Sequence, residues 1–332
     1  MSKTVQVVGV GNAIVDVLVD ASEDMLAQTG LEKGTMTLLE EDKSMALLRS
    51  LDSFQGACGG SAANTIDALQ RSGMQTAFIG KVKDDDLGRI FIRDMHSAGV
   101  HYQTTPLKDG PATARCIVYR TPDAERTMGV FLGASSMISA DDLQKEIIAE
   151  SDVLYIELYL LGHAGGWRIF QRLLTLARSA GVRIALNLSN IEAVKKHRAA
   201  VLGVLRQGVD VLIGNQEEVT YLASAGTVDK AIIWLQSHVD VSAITMGAQG
   251  SWVVGRHTKE KISVTPPREL VATTGVGDFY AAGLIYGVIR GLPLATSGRL
   301  ASALASTVLP SFGVIPDEPL QDLIQKVLSQ SA

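Results

Sequence analysis

A glycine-rich segment that ends in an aspartate is the strongest candidate for chemistry in this chain of 332 residues. It reads TTGVGD from Thr273 to Asp278, and the small residues after it indicate the start of a helix. The backbone N–H groups of Gly275, Val276 and Gly277 would lie unpaired at that helix start, where they favour an anion such as a transferring phosphoryl group. Asp278 could then accept the proton of an attacking hydroxyl. The same residues are also compatible with a tight turn and a helix-capping aspartate.

A second glycine-containing segment reads CGGSAAN from Cys58 to Asn64 and directly precedes an amphipathic run at 65–72. Gly59 and Gly60 would let a ligand approach the backbone closely, and Asn64 offers both a donor and an acceptor to a polyhydroxy substrate. A strand-to-helix turn with a capping serine would look the same, and on these residues alone it is the favoured interpretation.

The first apolar run, at 5–10, is followed by Gly11, Asn12 and Asp16. Its paired glycines suggest dinucleotide binding, but Ile14 occupies the place of the third glycine, which disfavours a dehydrogenase. Asp16 could instead bind vicinal hydroxyls of a sugar, or it could be a solvated carboxylate at a strand end.

Composition narrows the function classes. Hydrophobic residues make up 46% and charged residues 20% of the chain, and the net charge is −5, which provides no broad basic field for nucleic acid or an anionic membrane. The two cysteines match no zinc motif and suit a reducing cytoplasm. We expect no signal peptide and no membrane insertion, because no window approaches the roughly 20 apolar residues of a membrane span. No P-loop, His-Glu-x-x-His or Gly-x-Ser-x-Gly motif is present.

The pattern of elements predicts an α/β fold with a mostly parallel central sheet between two layers of helices, in one domain over residues 1–332. Predicted strands are 5–10, 77–79, 153–157, 182–188, 209–214 and 241–246, and predicted helices are 61–72, 88–97, 167–180, 191–206 and 216–224. Two alternating stretches, 113–120 and 126–132, predict a hairpin around a Thr-Pro-Asp turn. With 35–39 this hairpin would form a small β-sheet lid, built from segments near 14–40 and 101–132.

In their order along the chain, these segments resemble the ribokinase-like (PfkB) family over nearly the whole length. Residues 273–278 look like its Asp-Thr-x-Gly-Ala-Gly-Asp signature, and 59–64 with Gly73 look like its N-terminal signature. Residues 215–218 (NQEE) match its Asn-x-x-Glu element, and 245–250 match its nucleotide-side loop.

The resemblance implies an ATP-dependent kinase with Asp278 as base and Gly275, Val276 and Gly277 as the anion hole for the γ-phosphate. The implied ATP site comprises Asn215, Glu218, Thr245, Gly247, Gly250 and Thr274. Asn215 and Glu218 would organise Mg²⁺ through water. The implied acceptor site comprises Asn12, Asp16, Gly59, Gly60, Asn64 and Arg126.

Residues 11–16 and 125–134 look most like adenosine-kinase-type members, so the expected reaction is phosphorylation of a nucleoside 5′-hydroxyl. Arg126 would close over the phosphates, or it is a surface arginine in a turn. Met36, Met128 and Phe131 could present an apolar surface to a purine, or simply pack. The alternatives are a kinase of a free sugar (ribose, fructose or a keto-deoxy sugar acid) and a non-catalytic ligand-binding or regulatory protein.

Two departures from the family pattern affect these expectations. Ala272 replaces the aspartate that helps relatives to bind a monovalent cation, so activation by K⁺ is doubtful. Val276 replaces the alanine of the anion hole and adds a stiff side chain there. A homodimer through the lid is plausible, because an exposed lid sheet has an apolar face and free edges.

Overall fold

The computed structural model describes residues 5–123, 125–271, 273–311 and 313–330. The strands are β1 (Val7–Val10), β2 (Ile14–Asp20), β3 (Met36–Leu38), β4 (Gln55–Gly59), β5 (Thr76–Ile79), β6 (Ala114–Arg120), β7 (Arg126–Phe131), β8 (Val153–Glu157), β9 (Arg183–Asn187), β10 (Val211–Asn215), β11 (Val241–Thr245), β12 (Ser251–Gly255) and β13 (Lys259–Ile262). The helices are α1 (Glu23–Thr29), α2 (Glu41–Arg49), α3 (Ser61–Arg71), α4 (Asp86–Ala98), α5 (Lys145–Glu150), α6 (Gly166–Ser179), α7 (Ile191–Arg206), α8 (Gln216–Leu222), α9 (Val228–Gln236), α10 (Val276–Ile289), α11 (Leu294–Ser306) and α12 (Leu320–Ser329).

The large sheet has the strand order β13-β12-β11-β10-β9-β8-β1-β5. The strands from β5 to β11 pair in parallel, and β12 and β13 continue the edge in antiparallel pairs. From β1 the chain continues to β5 at one edge of the sheet. From β8 it later continues strand by strand toward the other edge. The order therefore reverses between β1 and β8, and ligands of doubly wound sheets bind beyond the carboxyl ends of the strands at such a point.

Helices cover both faces of the large sheet, as the sequence predicted. One layer contains α3, α4, α10, α11 and α12, and the other contains α5 to α9. Helix α10 is apolar on all sides because α3 and α11 enclose it, so its buried run extends from Phe279 to Gly287. A β-carbon at Gly283 would lie 2.6 Å from the Ala301 Cα atom, which shows how closely α10 and α11 approach.

The small sheet has the order β3-β7-β6-β2-β4. The predicted hairpin forms β6 and β7, but the segment 101–113 contributes no strand to this sheet. The sheet also uses β4, which the sequence analysis did not assign as a strand. One face is packed by α1 and α2 around Val17, Ile117 and Tyr119. The opposite face carries Asp16, because side chains alternate along a strand.

The predicted fold class is confirmed, and the predicted elements agree with the structure to within a few residues at their ends. Helices that start at a clear capping residue are well defined: Asp85 caps α4 through the Gly88 N–H, and Asn190 caps α7. The elements that the sequence analysis did not assign also include α1, α2, α5, α9, α11, α12 and the β12–β13 hairpin. In the part of the chain that the structure describes, no helix combines the length and the hydrophobicity needed to cross a membrane.

Candidate active site

Asp278 lies in the first turn of α10, where two side chains of α3 hold its carboxylate. Ser61 Oγ donates to Oδ1 at 2.7 Å, and Asn64 Nδ2 donates to Oδ2 at 2.9 Å. Burial raises the pKa of Asp278, and these two hydrogen bonds oppose the rise. The helix-capping interpretation of Asp278 is wrong, since Gly275 is the N-cap and the Asp278 side chain bonds to another helix. The sequence analysis also missed the contact of Ser61 with Asp278.

The residues of the expected anion hole form the start of α10. Gly275 has φ +77°, and a β-carbon there would lie 2.5 Å from a Val314 methyl group, so only glycine fits. The N–H groups of Val276 and Gly277 have no acceptor within the helix because they belong to its first turn. Nothing lies within 4 Å of a β-carbon at Gly277, so this side of the turn is open. Thr274 lies in the turn just before Gly275, and Ala272 lies outside the described residues.

Asp16 lies in β2 and faces the second glycine pair. A β-carbon at Gly59 would lie 2.5 Å from Asp16 Cγ, and one at Gly60 would lie 2.2 Å from the Asn12 carbonyl oxygen. Burial, and then the charge of Asp278, raise the pKa of Asp16 to about 7. Asp16 is therefore not the solvated strand-end carboxylate that the sequence left open. Gly59 and Gly60 therefore let their chain segment approach Asp16 and Asn12 closely at the acceptor side.

Glu157, at the carboxyl end of β8, is a site residue that the sequence analysis missed. It is fully buried, and its Oε1 and Oε2 atoms accept the N–H groups of Asn12 at 2.7 Å and Ala62 at 2.8 Å. Burial raises its pKa to about 7. A β-carbon at Gly11 would lie 2.6 Å from Glu157 Cδ, so Gly11 serves this contact and not a dinucleotide. Glu157 ends a buried strand that lies beside the first strand. A carboxylate in that place was the sequence signal that could have revealed Glu157 as a site residue.

Arg126 links the small sheet to the segment before α10. Its Nη2 donates to Thr273 Oγ1 at 2.5 Å, while its Nη1 is buried and has no partner among the described residues. Burial lowers the pKa of the guanidinium. Arg126 is therefore not a freely solvated arginine, and its guanidinium contacts the chain two residues before Gly275.

The face of the small sheet that carries Asp16 is otherwise mostly apolar. Strand register places Cys116 opposite Asp16, Val130 opposite Cys116, and Met36 opposite Met128. The side chains on this face are Ile14, Leu18, Cys116, Val118, Met128, Val130, Met36 and Leu38. The expectation for Phe131 is wrong. Phe131 pairs with Arg115 on the opposite face, where the guanidinium carbon lies 4.8 Å from the ring centroid.

The residues of the expected nucleotide side form a second group. Asn215 ends β10, Thr245 ends β11, and the two are direct neighbours in register. Asn215 Oδ1 accepts the Glu218 N–H at 2.9 Å, and Glu218 accepts the Asn215 N–H and Nδ2 groups in return. This is a capping box at the start of α8. Gly247 and Gly250 lie in the turn between β11 and β12.

Two tyrosines connect the two groups. Tyr280, two residues after Asp278, donates to Ser251 Oγ at 2.8 Å, next to Gly250. Tyr159 lies close enough to Glu157, Asp278 and Glu218 for their charges to raise its pKa further, after burial has raised it, to about 12. The Tyr280 contact links the start of α10 to the turn between β11 and β12 on the expected nucleotide side.

The nucleotide side fits a divalent metal ion only through water. Both Glu218 oxygens already accept from Asn215, but each keeps a second lone pair for a metal-bound water. Within the described ranges, no three His, Cys, Asp or Glu side chains are grouped so as to hold a metal ion. Asn215 and Glu218 would therefore contact a divalent metal ion through its bound waters, and its other ligands would come from substrate phosphates.

The sequence profile of the pfkB family of carbohydrate kinases matches residues 40–321. The chain belongs to this family. Membership implies ATP and a divalent metal as cofactors. The family assignment agrees with an aspartate and an open helix start at the carboxyl edge of the sheet.

Similar pfkB proteins differ in the acceptor that their names indicate. The adenosine kinase of Sinorhizobium meliloti is 32% identical, with a TM-score of 0.89 over 99% of this chain and 100% of that one. A probable sugar kinase of Rhizobium etli is 30% identical, with a TM-score of 0.90 over 98% of each chain. The 5-dehydro-2-deoxygluconokinase of Geobacillus thermodenitrificans is 26% identical over 288 residues, which cover 83% of this chain and 85% of that one.

Proposed function

We propose that this pfkB-family kinase transfers the γ-phosphate of MgATP to the 5′-hydroxyl of a nucleoside. The observation that carries the proposal is the placement of the Asp278 carboxylate at the open start of α10, held by Ser61 and Asn64. A base and a cluster of backbone donors then lie within one helical turn. Phosphoryl transfer needs this alignment and charge stabilisation more than covalent chemistry from the protein.

In this mechanism Asp278 accepts the proton of the acceptor hydroxyl as the hydroxyl oxygen attacks. Its raised pKa makes it a better base than a solvated aspartate. The N–H groups at Gly275–Gly277 stabilise charge on the transferring group, and the unpaired Arg126 nitrogen offers a further donor. Bound Mg²⁺ would neutralise charge on the phosphate oxygens, with Asn215 and Glu218 holding its waters. We propose that Thr245, Gly247, Gly250 and Thr274 line the ATP site.

The apolar face beside Asp16 supports a nucleoside as acceptor. Asp16 and Asn64 can bind ribose hydroxyls, while Met36, Met128 and Val130 continue outward as a surface on which a base can pack. Met36 is 45% exposed and Leu38 is 65% exposed, so this surface is open. The 32% identity to a bacterial adenosine kinase points in the same direction.

The test measures ADP release with MgATP across a panel of nucleosides and free sugars, with and without K⁺. Turnover with adenosine or another nucleoside is expected. Loss of this turnover in Met36→Asp, with turnover of free sugars unaffected, would show that the nucleobase packs on the small sheet. Turnover by free sugars alone would overturn the nucleoside proposal. A K⁺ effect would contradict the inference from Ala272.

A free sugar or keto-deoxy sugar acid is the second candidate. It is favoured by the similarity to 5-dehydro-2-deoxygluconokinases over most of the chain. Such an acceptor would use Asp16 and Asn64 but leave the apolar face uncovered. Equal turnover of a sugar acid by wild-type protein and Met36→Asp is the expected result for this candidate. No turnover with any acceptor would favour a non-catalytic binding protein.

A further inference from the structure

Asn12 is fixed at two atoms, one by Glu157 at the end of β8 and one by His163 in the segment that follows. Its backbone N–H is bound by Glu157, as described above, and its side-chain Oδ1 lies 2.7 Å from His163 Nε2. Both partners of this side-chain contact are buried, Asn12 to 4% exposure and His163 to 8%. The contact joins residues 151 positions apart in the chain.

The chemistry of the two atoms determines where the proton lies. Asn12 Oδ1 has only lone pairs, so His163 Nε2 must carry the hydrogen. Burial lowers the pKa of His163 to about 4, so the ring is neutral near pH 7. A neutral ring has one N–H, and the contact therefore fixes the Nε2–H tautomer.

The same bond determines which way the Asn12 amide points. With Oδ1 engaged, the Nδ2 hydrogens are directed away from His163, and no described residue accepts from them. Asn12 lies against Gly60 and two residues before the start of β2, the strand that carries Asp16. An amide oriented in this way would present its N–H side to an acceptor bound beside Asp16.

We propose that His163 is a positioning residue that sets the amide orientation of Asn12, so that the acceptor meets an N–H donor there. An acceptor that fits must offer a hydrogen-bond-accepting atom at that point, such as a hydroxyl oxygen, a ring oxygen or a heterocyclic nitrogen. This inference rests on the proposed function, because it gives a role to the acceptor side of the same site.

The first test is independent of catalysis. Nitrogen-15 NMR of the wild-type protein labelled at histidine distinguishes the two neutral tautomers, with His163→Gln used to assign the signal. We expect the Nε2–H tautomer at pH 7, persisting to about pH 5. The Nδ1–H tautomer or a protonated ring at pH 7 would overturn the proposal.

The second test compares three variants by steady-state kinetics, using the panel acceptor with the highest turnover. His163→Leu cannot donate to Oδ1 and is expected to raise the KM for the acceptor about three- to tenfold, the effect of one neutral hydrogen bond. His163→Gln keeps a donor and should stay within about twofold of wild type. Asn12→Asp keeps an oxygen for His163 but loses the N–H donor, so its KM should rise as in His163→Leu. The kcat and the KM for ATP should change less than about twofold in both His163 variants.

Several outcomes contradict the positioning role. Equal KM values in His163→Leu and wild type would overturn it, and so would equal losses of thermal stability in His163→Leu and His163→Gln without a change in KM. His257→Leu, at an exposed histidine, is the control and should match wild type. If His163→Leu fails to fold, Asn12→Asp and His163→Gln carry the comparison. No turnover by wild-type protein would overturn the proposed function and the acceptor role of Asn12, while the tautomer result would stand by itself.

Discussion

The acceptor side and the nucleotide side of the candidate site are held by contacts of different kinds. On the acceptor side, Ser61 and Asp278 are 217 residues apart, and Asn12 and Glu157 are 145 apart. On the nucleotide side, Asn215 and Glu218 are only three apart and cap one helix. Burial raises the pKa of the acceptor carboxylates and also that of Glu218, so the two sides differ in the sequence separation of their contacts and not in desolvation.

The difference indicates which side depends on the whole fold. The acceptor groups are brought together by packing between α3, α10 and the ends of β1 and β8, so any loosening of that packing separates them. The nucleotide groups keep their local geometry as long as α8 and the ends of β10 and β11 form. Substitutions on the acceptor side should therefore affect activity and stability together, and substitutions on the nucleotide side should have smaller, local effects.

The largest effect is expected from Asp278→Asn, which removes the proposed base but keeps the shape of the side chain. The kcat should fall by about 10² to 10⁴, because general-base catalysis contributes that much. ADP release with the best acceptor measures it. Asp240→Asn, at an exposed aspartate near the amino end of β11, is the matched control and should leave kcat unchanged. A fall of less than tenfold in Asp278→Asn would mean that the protein does not use this carboxylate as a base.

The second-largest effect is expected for the pH dependence of kcat/KM for the acceptor, which we attribute to Asp16. Because its pKa is raised to about 7, Asp16 is protonated below that pH and loses the charge with which it would bind hydroxyls. The kcat/KM for the acceptor should fall about tenfold per pH unit below about 7 and level off above it. In Asp16→Asn the value at pH 8 should be about ten- to a hundredfold lower, and the slope should disappear. If the slope remains, Glu157 or Asp278 is the titrating group.

Most of the fold was predictable because it depends on local patterns. The strand at 153–157 and the helix at 191–206 were predicted with the bounds that the structure gives, since β-branched runs and a helical period were clear there. The helices α1 and α2 were missed. They cover one face of the small sheet, and their short amphipathic segments have no contrast with the loops around them.

Residue types and order singled out Asp278, Asn64 and Asn215 as candidate site residues, and the structure brings Asp278 and Asn64 into contact. Partners that are distant in sequence were not predictable. Nothing in the local sequence indicates that Glu157 binds Ala62 across 95 residues, and this contact depends on strand order, which periodicity does not give. The register of β6 and β7, which puts Phe131 on the face opposite Asp16, also had to come from the structure.

A smaller effect is expected from Gly11→Ala, which tests how tightly the acceptor side is packed. The added β-carbon would lie 2.6 Å from Glu157 Cδ and 2.7 Å from Ala62 Cβ, so the Asn12 segment or Glu157 must shift. Overpacking of this kind costs about 1–3 kcal/mol of unfolding free energy. Urea denaturation measures it, and the kcat/KM for the acceptor should fall as well. Gly203→Ala, in α7 with no close neighbour, should instead be neutral or stabilising by about 0.5–1 kcal/mol.

The smallest effect is expected on the nucleotide side. Asn215→Ala removes the N-cap of α8 and should cost about 1 kcal/mol of unfolding free energy, with a rise of a few fold in the KM for ATP. Thr227→Ala removes the N-cap of α9 and is the matched control, which should lose similar stability without a change in KM.

Asn215→Ser separates the two roles of the asparagine, because serine restores the cap but not the amide that donates to Glu218. A KM for ATP that is raised in both Asn215→Ala and Asn215→Ser would support a binding role for the amide. A KM that recovers in Asn215→Ser would mean that Asn215 acts only through the helix cap. If Asn215→Ala raised the KM for the acceptor as much as the KM for ATP, the acceptor side and the nucleotide side would not respond separately. That result would contradict the proposed difference between them.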